Sequence, residues 1–448
     1  MKKITVDLGK NIGTMRPMHA VNNGPVYKFK EDMRISNMDH FRAAGIPYAR
    51  NHDAAHFNTY GGEHTVDVHA IFPNFDADPY DENSYDFVCT DEYLRVIDFA
   101  DCETFYRLGS KIEHWPKKYG TLPPKDFKKW AIICEHIIKH YNYGWANGFN
   151  YGLKYWEIWN EPDLDADDSP NKRNWGGTKA QFFDLFEVAA KHLKGCFPEL
   201  KIGGPALGGQ WAWGEEFLLE MKKRDVPLDF LSWHCYTCEV SKFKMFVSHW
   251  RNALDNAGYT ETESILNEWN YVGGWTAEKW IESIRTMNNI KGAAFVAGAM
   301  EECQNLGLDM LMYYDARPTA MNGMFNTDLV CDVQKPYYPF YMFNQLYMLK
   351  TQVEATSLSE DLYGCAASDG TNSAIMLTYY NNEDTSSDDV EIEVINPNNE
   401  NGAELEFYLL DEDNDNKLFR KETFNSKKHS SILTLKMYST VLVKIKNN

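Results

Sequence analysis

Eight short apolar segments recur between residues 15 and 350, and they alternate with longer amphipathic segments. Alternation of this kind is typical of repeated βα units. Eight such units close most simply into a (β/α)8 or TIM barrel, an α/β fold of roughly 250 residues or more. The predicted strands are MRPMHAVN (15–22), IPYARNH (46–52), ETFYRLGS (103–110), LKYWEIWN (153–160), LKIGGPAL (200–207), DFLSWHCY (229–236), SILNEWN (264–270) and DMLMYYD (309–315).

Two of the intervening segments are typical of helices. PKDFKKWAIICEHIIKHY (124–141) begins with a proline, which the first turn of a helix tolerates, and KAQFFDLFEVAAKHLKGC (179–196) repeats apolar residues at helical spacing. A doubly wound open sheet is the structural alternative. It is disfavoured because no GxGxxG motif follows the first predicted strand.

The texture of the sequence changes after residue 350. Alternating stretches such as VEIEVI and TVLVKIK are separated by turns rich in Asn, Asp and Ser, which predicts a C-terminal antiparallel β-sandwich. We therefore expect a barrel at 15–350 and a sandwich at 351–448. The N-terminal strand, residues 1–14, is a candidate to join that sandwich.

Composition and charge limit the partners. The chain has 45 basic and 65 acidic residues and a formal net charge of −20, which argues against binding a phosphate backbone. It shows neither the apolar core of a signal peptide nor a run of about 18 apolar residues that would span a membrane. Nine cysteines, an odd and scattered set, favour a reducing compartment. We expect a cytoplasmic protein with no nucleic-acid or membrane partner, and homo-oligomerisation stays open.

Two glutamates stand at the carboxyl ends of predicted strands, the edge at which barrels of this type place catalytic groups. Glu161 ends strand four in WNEP, and Glu268 ends strand seven in LNEWN. Three βα units separate them, so both can reach the same rim. A pair of carboxyl groups, one protonated and one ionised, is what cleavage of a glycosidic bond requires.

Neighbouring residues can push the two carboxyl pKa values apart. Arg50 on strand two is a candidate cation, and Glu157, inside strand four, is predicted to be a structural carboxylate paired with it. His234 and Tyr236 share one face of strand six. Asn160 would point into the mouth only if strand four ends in a bulge or bend.

The segments YWEIWNEPDL, DFLSWHCYT and ILNEWN, together with YARNHD, resemble those of glycoside hydrolase family 39, the β-xylosidases and α-L-iduronidases. The resemblance implies a retaining glycosidase with a β-sandwich beside its barrel. It implies that Glu161 is the acid/base and Glu268 the nucleophile. By the same resemblance, the sugar contacts are Asn160 to a 2-hydroxyl, the strand-six pair His234 and Tyr236, and His52 after strand two.

Strand eight, MLMYYDARP, departs from that pattern, because relatives often place a tryptophan there. Tyr314 is a candidate replacement, and Trp269 is a further candidate sugar platform. Arg317 could bind a uronate carboxylate in bidentate fashion, but pairing with Asp315 is the favoured interpretation.

No cofactor or metal is predicted. His52 and His56 in HDAAH are spaced like metal ligands, yet the HExxH arrangement is absent, and a loop histidine that binds sugar or no ligand at all is favoured. The sequence thus predicts a cofactor-independent retaining exo-glycosidase that acts on short glycosides, with β-xylosidase as the first guess. An α-L-arabinosidase, a galactosidase or a uronidase on the same scaffold is the alternative, and a non-catalytic sugar-binding protein is a weaker one.

Overall fold

The computed structural model describes residues 1–30, 33–54, 64–318, 321–326, 332–383, 386–397, 399 and 401–447. Eight strands close into a parallel barrel in the order β10-β11-β2-β5-β6-β7-β8-β9. Every one of them falls on a predicted segment, which confirms the (β/α)8 fold. The barrel strands are β2 (Ala20–Asn22), β5 (Tyr48–Arg50), β6 (Glu103–Leu108), β7 (Tyr155–Ile158), β8 (Lys201–Leu207), β9 (Phe230–Thr237), β10 (Glu263–Tyr271) and β11 (Met310–Tyr313).

Helices pack around the barrel, and α9 and α10 also contact strands of the second sheet. They are α1 (Met38–Ala44), α2 (Val68–Ile71), α3 (Val88–Phe99), α4 (Phe127–Tyr143), α5 (Lys179–Cys196), α6 (Trp211–Lys223), α7 (Lys242–Asn256), α8 (Ala277–Met287), α9 (Ile290–Leu306) and α10 (Tyr338–Tyr347). Helix α5 begins in a capping box formed by Thr178 and Gln181. Helix α4 begins at Phe127, after the predicted Pro124, because the Asp126 side chain caps its first backbone N–H groups.

A second sheet of nine strands, in the order β17-β16-β19-β14-β13-β12-β1-β15-β18, lies beside the barrel and has a core of its own. The N-terminal strand pairs parallel with β15, so the sheet is mixed, while the other strand pairs of this sheet are antiparallel, as predicted. Its strands are β1 (Lys2–Thr14), β12 (Thr351–Ser357), β13 (Leu362–Ser368), β14 (Asn372–Tyr379), β15 (Ser387–Ile395), β16 (Ala403–Leu410), β17 (Lys417–Phe424), β18 (Lys428–Lys436) and β19 (Ser439–Asn447); β3 (Tyr27–Lys30) and β4 (Met33–Ser36) form a separate hairpin.

The interior of the barrel is layered. An apolar cluster that includes Phe105, Phe230 and Ile265 fills one level. Further along the same strands toward their carboxyl ends, buried polar side chains such as Arg50 and Glu157 replace the apolar ones. The barrel is thus closed by packing at one end and offers polar groups at the other, where its strands end. In the described part of the chain, every helix is too short or too polar to span a lipid bilayer.

Candidate active site

Glu161 and Glu268 meet at the carboxyl end of the barrel. One carboxylate oxygen of each, together with a ring nitrogen of His234, lies within 4.8 Å of the others. The two carboxylate side chains keep 15% and 7% of their area exposed, so solvent reaches both. A single sugar ring can bridge carboxyl groups that are about 5 Å apart, whereas a mechanism that places water between them needs about 6.5–9.5 Å.

A β-bulge explains why Glu268 faces the barrel axis. The pairing of β10 with β9 shifts register between Leu266 and Glu268. Because of this shift two successive side chains point inward: Asn267 contacts Glu157, and Glu268 contacts Arg50. Strict alternation along the strand would have turned one of them toward the helices.

The backbone bends directly after β7. Trp159 has a φ of 75° and Glu161 a φ of 44°, both in the left-handed region that non-glycine residues seldom adopt. The bend turns the Asn160 amide into the mouth, where its Oδ1 accepts from Arg50 Nη2 at 2.7 Å. The condition that the sequence set for Asn160 is therefore met.

Arg50 is fully buried and holds the floor of the site together. Its Nε donates to Glu157 Oε2 at 2.7 Å, and its Nη1 donates to Glu268 Oε1 at 2.8 Å. Nη1 also reaches Asn22 Oδ1 at 3.1 Å. One guanidinium therefore compensates two buried carboxylates and aligns the amides of Asn22 and Asn160, which a lysine could not do.

Glu157 is a structural group. Besides Arg50, it accepts hydrogen bonds from Ser232 Oγ at 2.6 Å and Asn267 Nδ2 at 2.5 Å, and its side chain is fully buried. Both carboxylate oxygens of Glu157 thus accept hydrogen bonds from protein side chains, and neither is exposed to solvent. It lies deeper in the barrel than Glu161 and Glu268 and fixes Arg50 in place.

His234 lies between the two glutamates, with its Nδ1 also 3.5 Å from Glu268 Oε2, and Tyr236 contacts Glu268. His234 Nδ1 lies 2.8 Å from Glu161 Oε1, and the Tyr236 hydroxyl donates to Glu268 Oε2 at 2.9 Å. Burial lowers the pKa of His234 to about 4, against the opposing charge of Glu268. The imidazole is therefore neutral near pH 7 and orients Glu161 without neutralising it.

The two carboxyl groups differ in their environment. Burial raises the pKa of Glu161 to about 7, and the Arg50 charge and a hydrogen bond from Asn174 oppose this only in part. Burial also raises the pKa of Glu268, but the guanidinium of Arg50 and the Tyr236 hydroxyl bond its carboxylate directly and favour the anion. Glu161 is accordingly suited to carry a proton and Glu268 to be ionised.

His52 stands at the edge of the same site. Its Nε2 is 3.7 Å from Glu268 Oε1, and its ring meets that of Tyr314 at 70° with centroids 6.0 Å apart. Burial lowers its pKa well below the usual range, so the ring is neutral. Its Nδ1 has no hydrogen-bond partner among the described residues. His56, the other histidine of the HDAAH segment, lies outside the described residues.

The groups predicted on strand eight form a charge cluster at the rim. Arg317 Nη2 lies 2.7 Å from Asp315 Oδ2 and 3.1 Å from Asp53 Oδ2, and the Tyr314 hydroxyl donates to Asp53 at 2.9 Å. Lys111 approaches the other oxygen of Asp53 at 2.9 Å. Arg317 is thus paired with two carboxylates, the arrangement that the sequence favoured over uronate binding.

Trp269 does not reach the site, so its prediction as a sugar platform is wrong. Its side chain is fully buried, and its ring packs against Phe243, Phe295 and Tyr313 on the helix side of the barrel. The bulge at Glu268 explains this, since the next residue must face outward. Trp159, which directly precedes Asn160, is likewise buried, against Trp175 and other rings.

Sequence reasoning missed Asn174. Its Nδ2 donates to Glu161 Oε2 at 2.9 Å from the loop between β7 and α5, where no strand end or motif marks it. It also missed Asn22 and Asp53. A signal existed for both, because Asn22 ends β2 and Asp53 lies in the YARNHD segment.

Three groups of side chains in the described part of the chain have the spacing of metal ligands. In each, a cation is already present: Arg50 beside Glu268, Arg107 beside Asp67, and Lys139 beside Glu135. A guanidinium or ammonium so close to a carboxylate weakens that carboxylate as a ligand. The three groups are Glu161 with His234 and Glu268, His64 with Asp67 and His69, and Glu135 with His192 and Cys196.

Comparison with known proteins gives consistent matches. The sequence profile of glycosyl hydrolases family 39 matches residues 11–258. A β-xylosidase from Geobacillus stearothermophilus is 34% identical over 141 residues, which are 30% of this chain and 25% of that protein. A β-xylosidase from Caldicellulosiruptor saccharolyticus is 27% identical over 254 residues, 53% of this chain and 47% of that protein. The chain thus spans half or less of the length of these curated relatives.

Among solved structures, a glucosidase from Croceicoccus marinus superposes with a TM-score of 0.81 at 22% identity. The superposition covers 100% of this chain and 99% of that one. At this level of identity the likeness concerns the fold alone. It extends over the barrel and the second sheet together.

Proposed function

Because the chain belongs to glycosyl hydrolases family 39, we propose that it is a retaining exo-glycosidase that works by double displacement. The observation that carries this proposal is the meeting of Glu161 and Glu268 at one barrel mouth, with carboxylate oxygens within 4.8 Å. That separation supports a covalent intermediate rather than direct attack by water.

In the first step, Glu268 attacks the anomeric carbon and the bond from that carbon to the leaving oxygen breaks. Arg50 and Tyr236 hold the attacking carboxylate as an anion and orient its oxygens. Glu161 gives its proton to the leaving oxygen, and its pKa of about 7 keeps it protonated in neutral solution for part of the time. Asn160, aligned by Arg50, is placed to hold a sugar hydroxyl.

In the second step, Glu161 takes a proton from water, whose oxygen attacks the anomeric carbon and displaces Glu268. The same carboxyl group must therefore release and recover one proton in each cycle, which a pKa near neutrality favours. His234 stays hydrogen-bonded to Glu161 and, being neutral, does not lock it in its anionic form.

For the substrate we propose a short β-xyloside, since both curated relatives named above are β-xylosidases. Another glycosidase on the same scaffold is the second candidate. A uronidase is the least supported of these, because Arg317 is engaged by Asp53 and Asp315. The eight described cysteines are free thiols, which supports our proposal of a cytoplasmic location.

The test is hydrolysis of a panel of nitrophenyl glycosides by the wild type, Glu268→Gln and Glu161→Gln. We expect the wild type to release product with retained anomeric configuration, seen by NMR in the first turnovers, and Glu268→Gln to lose turnover. Glu263→Gln is the matched control, because Glu263 lies at the other end of the same strand, bonded to Tyr155.

Three outcomes would contradict the proposal in whole or in part. A wild type that binds sugars but cleaves no member of the panel would be a binding protein. A Glu268→Gln variant that keeps wild-type rates on an unactivated disaccharide would remove the nucleophile assigned here. Inversion of configuration would contradict the double displacement while leaving a glycosidase.

A further inference from the structure

We propose that Trp275 forms the binding platform for the leaving-group sugar, the ring that Glu161 releases. This inference rests on the proposed glycosidase function. Trp275 follows β10, the strand of Glu268, and is 66% exposed. Its ring meets that of Tyr236 at 77° with centroids 5.6 Å apart. One side chain therefore separates this exposed indole from the proposed nucleophile, because Tyr236 donates to Glu268.

The indole is held rigidly. Thr276 is the N-cap of α8, so Trp275 directly before it and Trp280 in the first turn occupy the positions of a hydrophobic staple. Their rings stack with centroids 5.3 Å apart and 19° between planes. The Gly273 N–H donates to Ser283 Oγ at 2.9 Å, which fastens the loop to the same helix. A platform fixed in this way loses little conformational entropy when a ligand binds.

The staple alone does not account for the exposure of Trp275. A staple requires apolar contact with Trp280 and is satisfied by a leucine. Exposed aromatic residues such as Trp115 occur elsewhere on the surface, but Trp275 lies against Tyr236 and there offers an apolar face that a flat pyranose ring would cover.

The position of Trp275 also indicates which ring of the substrate it contacts. The groups around the two glutamates, Arg50, Asn160 and His234 among them, are almost fully buried and enclose the terminal sugar. Trp275 contacts Tyr236 and is the more exposed of the two, so we place it on the solvent side of that ring, where the leaving group of an exo-acting enzyme extends. The ligand class is thus a pyranose or an aromatic ring attached to the leaving oxygen.

The experiment compares two substrates with the same terminal sugar: a disaccharide, and the glycosyl fluoride, whose leaving group has no ring. We expect Trp275→Leu, which keeps the staple, to lower kcat/KM for the disaccharide by about tenfold or more. The value for the fluoride should stay within twofold of the wild type. Trp275→Phe should lower kcat/KM for the disaccharide less than Trp275→Leu does, because it keeps an aromatic face.

The control is Phe99→Leu, an exposed aromatic residue at the end of α3, which should affect neither substrate. An equal fall on both substrates would place Trp275 on the terminal sugar or in support of Tyr236, and an unchanged disaccharide rate would remove the platform. If instead the wild type cleaves neither substrate, the proposed function itself is wrong. Failure of the proposed function is therefore seen in the wild type, and failure of the platform in the Trp275 variants.

Discussion

The side-chain amide of Asn174 donates to Oε2 of Glu161 at 2.9 Å, while the backbone carbonyl of Asn174 accepts from the indole Nε1 of Trp159 at 2.8 Å. The loop after β7 therefore returns to the residue from which it departed and clamps the carboxyl group. Both oxygens of Glu161 are then bonded, one to Asn174 and the other to His234. The orientation of the proposed acid/base follows from these two contacts.

Asn174→Ala should raise the pKa of Glu161, because the amide hydrogen bond stabilises the anionic form. The alkaline limb of the kcat/KM profile, which reports Glu161 losing its proton, should move to higher pH by about half a unit to one unit. The measurement is a pH profile on an unactivated glycoside. Asn171→Ala is the control, since Asn171 holds the same loop through the His114 carbonyl and does not touch Glu161. An alkaline limb that stays in place would contradict the assignment.

Tyr236→Phe removes the hydroxyl that donates to Glu268 at 2.9 Å. The anion loses a stabilising hydrogen bond, so the pKa of Glu268 should rise and the acidic limb of kcat/KM should move to higher pH. A hydrogen bond to a charged group contributes about 1.5–3 kcal/mol, so we expect kcat/KM to fall by roughly 10- to 100-fold. Tyr271→Phe, which loses a bond of similar length to Asn382 outside the site, should leave the profile unchanged. Equal effects of the two variants would refute the role of Tyr236.

Arg50→Met should destabilise the protein severely. Glu157 and Glu268 would lose their shared cation while both stay buried, a situation that costs about 3–5 kcal/mol. Urea unfolding at pH 7 measures the change. Adding Glu157→Gln to Arg50→Met should recover part of the loss, because it removes one uncompensated charge. Lys125→Met, which breaks a largely exposed pair with Asp76, should change the free energy of unfolding by less than about 1 kcal/mol.

The barrel was predictable because apolar periodicity reports burial, and burial decides which segments become strands. The meeting of Glu161 and Glu268 at one barrel mouth was predictable because the carboxyl ends of parallel barrel strands lie at the same rim. Trp269 was assigned to the mouth because it lies near a strand end, although it directly follows Glu268 and successive side chains of a strand face opposite sides. Asn174 escaped because it reaches Glu161 through the path of a loop, and loop paths depend on tertiary contacts such as the Trp159 indole bond.

The mixed second sheet illustrates the same limit. Alternation predicted strands after residue 350 and an N-terminal strand beside them. It did not specify that β1 lies between β12 and β15 and runs parallel to the latter. Strand order depends on pairing between segments far apart in the chain, which a local pattern does not encode.

Glu161→Gln should stabilise the protein in alkaline solution and not in acid. The pKa of Glu161 is about 7 in the folded chain against its ordinary value of 4.5. Below pH 4.5 both states are protonated and the two proteins should be equally stable. Between pH 4.5 and 7 the unfolded chain releases the proton first, so the wild type loses stability as pH rises. The difference, complete above pH 7, is on the order of 3 kcal/mol.

The measurement is the free energy of urea unfolding of both proteins at pH 4 and pH 8. Gln keeps the size of the side chain and can still bond His234 and Asn174, so a gain confined to pH 8 isolates the buried charge. Glu263→Gln, which weakens the hydrogen bond from Tyr155 outside the site, should stabilise the protein at neither pH. If the free energies of unfolding of Glu161→Gln and the wild type differ by the same amount at both pH values, Glu161 has its ordinary pKa. Its assignment as an acid with a pKa near neutrality would then be wrong.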